Sequence, residues 1–303
     1  MKTEEEKSLI LITGGAGFIG SHLASELIKQ GYPVRILDNL YTGRKENVPN
    51  NSEFIIGDIR KIKDLKEVLD DVECIFHLAA HVSVPESVKN PILNFDVNVK
   101  GTFLLLEEAR RREVEKIILA SSAAIYGTVG EQIPETHEKT PKNPYGLSKL
   151  IAEEYCQHYS LLYGLKTNIL RFFNVYGPKK RGNAVDVFMS RALANEPLLI
   201  NGDGTQFRDF VYVADVVRAS IACFMNNRYG EVYNVGTGRA TKVIDIAKRI
   251  IEEARTTSEI KFGPPRPGDI TGITADIAKI KRELSFVPQY SIKEGLSETI
   301  KVY

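Results

Sequence analysis

Short apolar runs alternate with longer stretches of helical length through the first half of the chain. Strands that alternate with helices in this way predict a parallel sheet. Because crossovers between parallel strands are right-handed, such a sheet is doubly wound, with helices on both faces. The predicted fold class is therefore α/β, with a Rossmann-type doubly wound parallel sheet. Predicted strands cover residues 8–13, 33–37, 53–56, 74–77, 116–120 and 167–172, and the longer predicted helices cover 18–30, 91–112 and 146–163.

The pattern changes after residue 173. Loops become rich in Gly, Pro and Asn, and the predicted helices over 185–195, 213–225, 243–254 and 292–301 are shorter. We expect a sheet domain over residues 1–173 and a smaller α/β substrate-binding domain over 174–303. Residues 208–234 could return strands and a helix to the first domain.

Three glycines, Gly14, Gly17 and Gly20, lie between the first predicted strand and the first predicted helix. Glycines at this spacing permit a tight turn and a close approach of the backbone to a pyrophosphate, which binds at the positive end of the helix. A purely structural turn is the alternative. The pattern therefore favours a dinucleotide site at the start of the helix.

Two aspartates follow the next two predicted strands. Asp38 ends the second strand, eighteen positions after Gly20. An acid there can accept both ribose hydroxyl protons and repels a 2′-phosphate, which favours NAD over NADP. Asp58, just after the third strand, could reach the adenine amino group. The alternatives are a loop-capping acid for Asp38 and a helix N-cap for Asp58.

Tyr145 and Lys149 lie four residues apart, on one face of a predicted helix. A phenol has an unperturbed pKa of about 10, so it needs a neighbouring positive charge to act as a base near neutral pH. Lys149 and a positively charged nicotinamide could supply that charge. Ser122, at the end of the fifth predicted strand, could hydrogen-bond a substrate oxygen or cap a turn. The three side chains predict a nicotinamide enzyme that acts on an alcohol or a ketone.

Charge and cysteine content narrow the class of protein. The chain has 40 Lys and Arg against 39 Asp and Glu, with the two signs intermixed, so neither nucleic acid nor a membrane is an expected partner. No apolar run approaches membrane-spanning length, and the charged start lacks the order of a signal peptide. Cys74, Cys156 and Cys223 lack metal-ligand spacing, and we expect no bound metal. A reduced, cytoplasmic protein with buried thiols is the expectation.

A series of short motifs, in order along nearly the whole chain, resembles the extended short-chain dehydrogenase/reductase superfamily. The similarity is greatest to its nucleotide-sugar epimerases of the UDP-glucose/galactose 4-epimerase type. The matching segments are residues 14–20, 38–40, 57–58, 78–80, 98–102, 121–127, 145–149, 171–178, 208–210 and 266–269.

This resemblance implies NAD as the cofactor, a UDP-sugar as the substrate and a homodimer. Residues 1–173 would then form the NAD-binding domain, and the helices over 91–112 and 146–163 would form the dimer surface, although their apolar residues could equally be core. The implied catalytic residues are Ser122, Tyr145 and Lys149. The implied cofactor contacts are Gly14, Gly17, Phe18, Ile19, Gly20, Asp38, Asn39, Asp58, Ile59, Leu78, Ala79, Ala80, Asn98, Tyr145 and Lys149. The implied substrate contacts are Ser83, Ser122, Asn174, Val185, Arg208, Arg266, Asp269 and Ile273.

The resemblance also implies individual roles. Asn98 would order the nicotinamide end, and Asn174 would contact the nucleotide diphosphate. Arg208 and Arg266 would clamp the phosphates, because guanidinium groups match phosphate oxygens. Asp269 would bind the uridine ribose. Without the family match, surface pairs of the two arginines with neighbouring aspartates would be preferred.

The residues after Ser122 distinguish between reactions. Related sugar 4,6-dehydratases carry an Asp-Glu pair here and decarboxylases carry a Glu nearby, whereas this chain has Ala123 and Ala124. Alanine cannot act as an acid or base. The expected reaction is therefore 4-epimerisation of a UDP-hexose by transient oxidation at C4. Another nucleotide-sugar epimerase, a 4-reductase and an inactive NAD-binding protein are the alternatives.

Two positions depart from typical UDP-galactose 4-epimerases. Val82 takes the place of a lysine, and residues 81–85 look more like archaeal and hexosamine-type epimerases. Ile273, four positions after Asp269, takes the place of a tyrosine that narrows the sugar pocket. UDP-N-acetylhexosamines are therefore expected as additional substrates, unless Ile273 is simply a core residue.

Overall fold

The computed structural model describes residues 7–127, 130–180, 182–264 and 272–303. Its central element is a seven-stranded parallel sheet. The strands are β1 Leu9–Thr13, β2 Val34–Asp38, β3 Glu53–Ile56, β4 Val72–His77, β5 Lys116–Ser122, β6 Gly130–Ile133, β7 Lys166–Phe172, β8 Asn174–Tyr176, β9 Leu198–Asn201, β10 Phe207–Arg208, β11 Phe210–Tyr212, β12 Glu231–Val235, β13 Thr241–Lys242, β14 Ile260–Gly263 and β15 Gly272–Ala275. The helices are α1 Phe18–Lys29, α2 Ile62–Val68, α3 Val84–Lys89, α4 Pro91–Phe95, α5 Thr102–Arg111, α6 Pro144–Tyr163, α7 Ala184–Leu193, α8 Val213–Met225, α9 Val243–Ala254, α10 Ala278–Leu284 and α11 Ile292–Ile300.

The order of strands in the large sheet is β12-β7-β5-β4-β1-β2-β3. Successive strands run in one direction from β1 through β2 to β3, and in the other from β4 to β5. The order therefore reverses between β1 and β4, and ligands of doubly wound sheets bind at the carboxyl ends of the strands at such a point. Ile10, Leu11 and Ile12 of β1 are fully buried, as expected for a central strand covered on both faces. The predicted fold class is confirmed.

The helix predicted over residues 91–112 is interrupted. Helix α4 ends at Phe95, a π-helical segment follows over Asp96–Gly101, and α5 begins at Thr102. A π-helical turn holds one residue more than an α-helical turn and is frequent at functional sites. Apolar periodicity does not detect such an insertion, because the residues on both sides keep helical spacing. The short helices α2, α3 and α10 were also not predicted.

The chain divides into two compact units, of which the first comprises Met1–Gly127, Glu138–Arg171 and Ser220–Val232. The second comprises Thr128–His137, Phe172–Ala219 and Tyr233–Tyr303. It contains a four-stranded sheet of order β13-β10-β15-β6 and two parallel strand pairs, β8 with β11 and β9 with β14. The assignment of the cofactor to one part of the chain and of the nucleotide sugar to the other stays a prediction.

Among the described residues, no helix is both long and apolar enough to cross a membrane. The three cysteines are free and buried.

Candidate active site

The glycine turn lies between β1 and α1. Gly14 has a φ of +75°, and its N–H donates to the Leu37 carbonyl oxygen at 2.8 Å. A Cβ atom on Gly14 would lie 2.7 Å from the backbone nitrogen of Ala79, and one on Gly20 would lie 2.4 Å from the Gly14 carbonyl oxygen. Both positions therefore require glycine on conformational or steric grounds.

Helix α1 begins at Phe18 without a side-chain cap on its first turn. Its N-cap residue is Gly17, which has no side chain to cap the first turn. Uncapped N–H groups at the positive end of a helix fit a phosphate. The turn therefore fits the pyrophosphate of a dinucleotide.

The Asp38 carboxylate is buried at the end of β2. It accepts hydrogen bonds from the N–H groups of Ala16 (3.0 Å) and Leu40 (2.8 Å). Burial raises the pKa of Asp38, and these two hydrogen bonds oppose the rise. The loop after β2 folds against the carboxylate so closely that a Cβ on Gly43 would lie 2.8 Å and 2.9 Å from its two oxygens. No ion pair joins Asp38 to another described residue, so its remaining acceptor capacity suits ribose hydroxyl groups.

Asp58 is held differently. Its carboxylate accepts two hydrogen bonds from the Arg60 guanidinium, at 2.9 Å and 2.6 Å, and one from the Asn39 side chain at 3.0 Å. Arg60 and Asn39 hold the pKa of Asp58 well below its usual range. Lys61 is the N-cap residue of α2, so the capping alternative for Asp58 is wrong. Its contact with adenine stays a prediction.

Tyr145 and Lys149 lie in the first two turns of α6. This helix begins after Asn143, whose side chain accepts a hydrogen bond from the Gly146 N–H at 2.8 Å, and Pro144 takes its first position. Ser122 ends β5 and accepts a hydrogen bond from the Ala124 N–H at 3.2 Å. The Ser122 hydroxyl lies near enough to the Tyr145 hydroxyl to lower the pKa of the phenol. The local caps thus place the phenol beside the serine at the carboxyl end of β5.

Burial dominates the electrostatics of this pair of catalytic candidates. It raises the pKa of Tyr145, although the hydrogen bond from Ser122 opposes the rise. Burial also lowers the pKa of Lys149 to about 8, against the opposing negative charge of Glu153. We expected Lys149 to favour the phenolate, but within the chain itself the desolvation of the phenol outweighs any such effect. Lys149 is 4% exposed, and no hydrogen bond or ion pair joins its ammonium to another described residue. An ammonium so placed fits a ribose hydroxyl of the dinucleotide.

A buried ion pair lies one helical turn beyond Lys149. Glu153 and Arg171 are paired at 2.7 Å, and both side chains are almost completely excluded from solvent. The Ser121 hydroxyl donates to Glu153 at 2.5 Å, and Arg171 donates to the Tyr126 hydroxyl at 2.9 Å. This cluster ties the end of β5 to α6 and β7. Sequence reasoning missed it, although the spacing of Glu153 from Lys149 places both on one helix face.

The other predicted cofactor residues of the first unit line the carboxyl ends of β1 and β4 or the segments that follow. The Leu78 N–H donates to the Thr13 carbonyl oxygen at 3.0 Å, and Ala79 and Ala80 follow. Asn98 is buried in the π-helical segment, and Ile59 is buried after Asp58. Ser83 is the N-cap of α3, since its hydroxyl accepts from the Glu86 N–H at 3.2 Å. Its role toward substrate stays a prediction.

The predicted substrate residues of the second unit lie on short strands and one helix. Arg208 of β10 is the register partner of Ile273 in the parallel pair with β15, and Ile273 is buried. Asn174 begins β8 and is exposed, and Val185 is buried in α7. Arg266 and Asp269 lie outside the described residues.

The alternative that Arg208 pairs with Asp209 is not what the structure shows. The Asp209 carboxylate accepts hydrogen bonds from the N–H groups of Thr237 (2.7 Å), Gly238 (2.9 Å) and Ala275 (3.1 Å). The Thr237 hydroxyl donates a fourth, at 2.6 Å. Asp209 therefore holds the loop after β12 against β15 and leaves the neighbouring arginine to other partners.

Comparison with known proteins identifies the family. The sequence model of the NAD dependent epimerase/dehydratase family matches residues 10–236. A Methanocaldococcus jannaschii protein provisionally named a UDP-glucose 4-epimerase is 42% identical over 96% of this chain and 97% of its own length. A UDP-N-acetyl-α-D-glucosaminuronate decarboxylase of Bacillus cytotoxicus is 34% identical over 97% of both chains. The crystal structure of UDP-glucose 4-epimerase from Thermotoga maritima with UDP-glucose is similar at a TM-score of 0.94, with 39% identity over 97% of this chain and 98% of that chain.

These similarities confirm the predicted resemblance, the enzyme class and the cofactor. The protein is an NAD-dependent epimerase with relatives that act on several UDP-sugars. The chain belongs to the NAD-dependent epimerase/dehydratase family, among the extended short-chain dehydrogenases/reductases.

Proposed function

We propose that the protein interconverts UDP-glucose and UDP-galactose by epimerisation at C4, and that it also accepts the corresponding UDP-N-acetylhexosamines. The observation that carries this proposal is the placement of Tyr145 beside Ser122, one helical turn from the buried ammonium of Lys149. These groups can move a proton to and from a sugar hydroxyl. The similarity to UDP-glucose 4-epimerases supports the choice of sugar.

In this proposal each residue of the trio has one task. NAD bound beside this trio would supply the hydride transfer from and to C4 of the sugar. Tyr145 takes the proton of the substrate 4-hydroxyl and later gives it back. Ser122 donates a hydrogen bond to the same oxygen and so orients the substrate hydroxyl toward Tyr145. The Lys149 ammonium stabilises the negative charge that develops on the phenol.

Elimination and decarboxylation need an additional acid or base near the sugar. Ala123 and Ala124 occupy the short turn that follows Ser122, and neither side chain can accept or donate a proton. This supports epimerisation over the decarboxylation that one relative catalyses.

The proposal is tested by incubating the purified protein with UDP-glucose, UDP-N-acetylglucosamine or UDP-glucuronate in separate samples, with products resolved by NMR. We expect UDP-galactose from the first and UDP-N-acetylgalactosamine from the second, and no carbon dioxide from the third. The Tyr145→Phe variant is the matched control and should give no product. A pentose product from UDP-glucuronate, or no turnover of UDP-glucose, would contradict the proposal.

We also propose a homodimer formed through α4, α5 and α6. Large apolar side chains lie exposed on these helices, among them Ile92 (74%) and Phe95 (53%). Phe103 of α5 and Tyr155 of α6 are in ring contact at 5.5 Å, which makes one continuous face. Light scattering should give a particle of twice the chain mass for the wild type. The Phe95→Glu variant should give a particle of one chain mass, because a charge on this face disfavours the dimer. The control is Phe262→Glu, which changes an equally exposed phenylalanine of the second unit and should leave the mass unchanged.

A reducing cytoplasm is the proposed location, because the three buried thiols form no disulfide among the described residues.

A further inference from the structure

A chain of buried polar side chains connects the ends of two central strands to the π-helical segment. His77 ends β4, and its Nδ1 lies 2.7 Å from the Thr13 hydroxyl oxygen at the end of β1. Its Nε2 lies 2.9 Å from the hydroxyl oxygen of Thr102, the first residue of α5. All three side chains are almost completely buried. Neither His77 nor the two threonines were among the predicted site residues.

The protons in this chain can be assigned by counting donors. The Thr102 hydroxyl has one proton and donates it to the Asn98 carbonyl oxygen at 2.7 Å, because a carbonyl oxygen can only accept. Thr102 must therefore accept from His77, which places a proton on Nε2. At the other end, the Ala79 N–H donates to the Thr13 oxygen at 3.3 Å, and the Thr13 proton is left for Nδ1. This arrangement requires the neutral imidazole with its proton on Nε2.

Burial of the ring favours the same state. Burial and, as a smaller cause, the positive charge of Lys149 together lower the pKa of His77 to about 3. His77 therefore stays neutral throughout the pH range in which an enzyme of this kind works.

The π-helical segment is attached on its other side to the helix that carries Tyr145. The Asn98 side chain accepts from the His81 N–H at 2.7 Å and donates to the Ser148 hydroxyl at 2.9 Å. The Ser148 hydroxyl donates to the Tyr145 carbonyl oxygen at 2.8 Å. Asn98 thus stands between the strand ends and the first turn of α6.

We propose that His77 is a positioning residue for catalysis. Its Nε2–H form holds Thr102 and the backbone of Asn98, and Asn98 and Ser148 then fix the turn of α6 that presents Tyr145. The inference rests on the proposed role of Tyr145 in proton transfer. Removing the histidine link should therefore misplace the phenol without removing a group that touches substrate.

The first test reads the tautomer directly and requires no activity. The NAD-loaded protein is prepared with ¹⁵N-labelled histidine, and the five histidine rings are observed by two-dimensional NMR. The signals lost in His77→Gln identify His77. We expect a protonated Nε2 and an unprotonated Nδ1 that do not change between pH 8 and pH 6. A protonated Nδ1, or titration within this range, would overturn the proposal whatever the substrate is.

The second test measures turnover of UDP-glucose in two matched pairs of variants. Thr102→Val removes the hydroxyl with little change of shape, whereas Thr102→Ser keeps it. His77→Leu removes both ring nitrogens, whereas His77→Gln keeps an N–H donor for Thr102. We expect about a tenfold or larger fall in kcat for Thr102→Val and His77→Leu with KM unchanged, since small misplacements of reacting groups cost up to about 100-fold. The Ser and Gln variants should recover most of kcat.

A purely structural role predicts a different result. In that case Thr102→Val would lower the melting temperature, while kcat measured well below that temperature would equal that of Thr102→Ser. This outcome, or a rise in KM that accounts for the whole loss, would overturn the positioning role. Failure of the wild-type protein to turn over UDP-glucose would instead count against the proposed function, and the NMR result would still decide the state of His77.

Discussion

Each unit contains a buried aspartate at the end of a strand or between two strands, and the two carboxylates differ in how many partners they have. Asp209 in the second unit accepts four hydrogen bonds from the described residues, which is about the full capacity of a carboxylate. Asp38 in the first unit accepts two. Burial raises the pKa of both groups, so burial alone does not distinguish them.

The number of unused hydrogen-bonding positions does distinguish them. A saturated carboxylate holds the protein together, whereas a buried group with unused capacity is costly to the fold unless something else binds it. Lys149 in the first unit is the extreme case, because none of its donors is used among the described residues. In the second unit Asp215 resembles Asp209, since it accepts from Gln289, Tyr290 and Arg218. Unused capacity in the first unit is therefore consistent with the prediction that the cofactor binds there.

The largest effect is expected for Tyr145→Phe. It removes one hydroxyl from the chemistry of the first unit, and loss of a general base typically costs about 10²–10⁴-fold in turnover. Folding and NAD binding should not change, because the ring stays in place. The measurement is kcat beside an NAD titration. Full activity in this variant would show that Tyr145 does not transfer the proton.

Arg208→Ala tests the predicted contact between the second unit and the substrate phosphates. A charge-assisted hydrogen bond contributes roughly 1.5–3 kcal/mol to binding. The kcat/KM for a UDP-sugar should therefore fall about tenfold or more, whereas the affinity for NAD should change little. Arg249→Ala is the matched control, because that guanidinium lies exposed on α9. If UDP inhibits the Arg208 variant as tightly as the wild type, the phosphate role is wrong. Arg266→Ala should behave as Arg208→Ala does.

Asp209→Asn tests the saturated carboxylate. The amide group presents N–H donors to backbone N–H groups, which leaves about one or two of them unpaired, and the free energy of unfolding should fall by roughly 1–3 kcal/mol. NAD affinity should stay the same, because Asp209 is not among the predicted cofactor contacts. Urea denaturation and an NAD titration measure the two quantities. A wild-type stability in this variant would contradict the structural role.

Asp38→Ala is expected to show the opposite pattern. The variant should bind NAD about tenfold more weakly, because the hydrogen bonds to the ribose are lost. The difference in affinity between NAD and NADP should also narrow, because the carboxylate no longer repels the 2′-phosphate. Stability without added cofactor should change less than in Asp209→Asn, since only two N–H groups lose their acceptor. Equal affinity of the wild type for NAD and NADP would refute the role of Asp38.

The smallest effect is expected for Ile273→Tyr in the second unit. Overpacking costs typically about 1–3 kcal/mol, and we expect it to depress turnover of UDP-N-acetylglucosamine more than that of UDP-glucose. Ile273→Val is the control, because it makes the side chain smaller and should leave the turnover of both substrates unchanged. An equal loss for the two sugars would show that Ile273 is a core residue only, in keeping with its burial.

Local signals explain what could be predicted from the sequence. Apolar runs bounded by turns gave β1 to β5 within two residues, and the helix predicted over 146–163 begins only two residues earlier, at Pro144. Glycine spacing predicted a turn whose geometry indeed requires glycine at Gly14 and Gly20. These features depend on neighbours along the chain, which is why the sequence alone reveals them.

Contacts between distant residues could not be predicted in this way. His77 meets partners 64 positions before it and 25 positions after it, and no spacing rule connects them. The raised pKa of Tyr145 depends on burial by the whole unit. The pairing of Asp58 with Arg60 is different, because the two residues are only two positions apart and such a local pair could have been predicted from the sequence. The roles of the individual site residues remain predictions.

The buried ammonium of Lys149 has a consequence for heat and pH stability. Its pKa falls from 10.5 in a free lysine to about 8, so the unfolded chain binds this proton more tightly than the folded protein does. Below pH 8 the folded state carries the full penalty of burying this charge, and the penalty is relieved as the pH rises from 8 to 10.5. A ligand that accepts hydrogen bonds from this ammonium relieves it at neutral pH instead, and its binding adds to the thermal stability of the protein. A cofactor that binds this ammonium would therefore supply part of the resistance of the folded enzyme to heat.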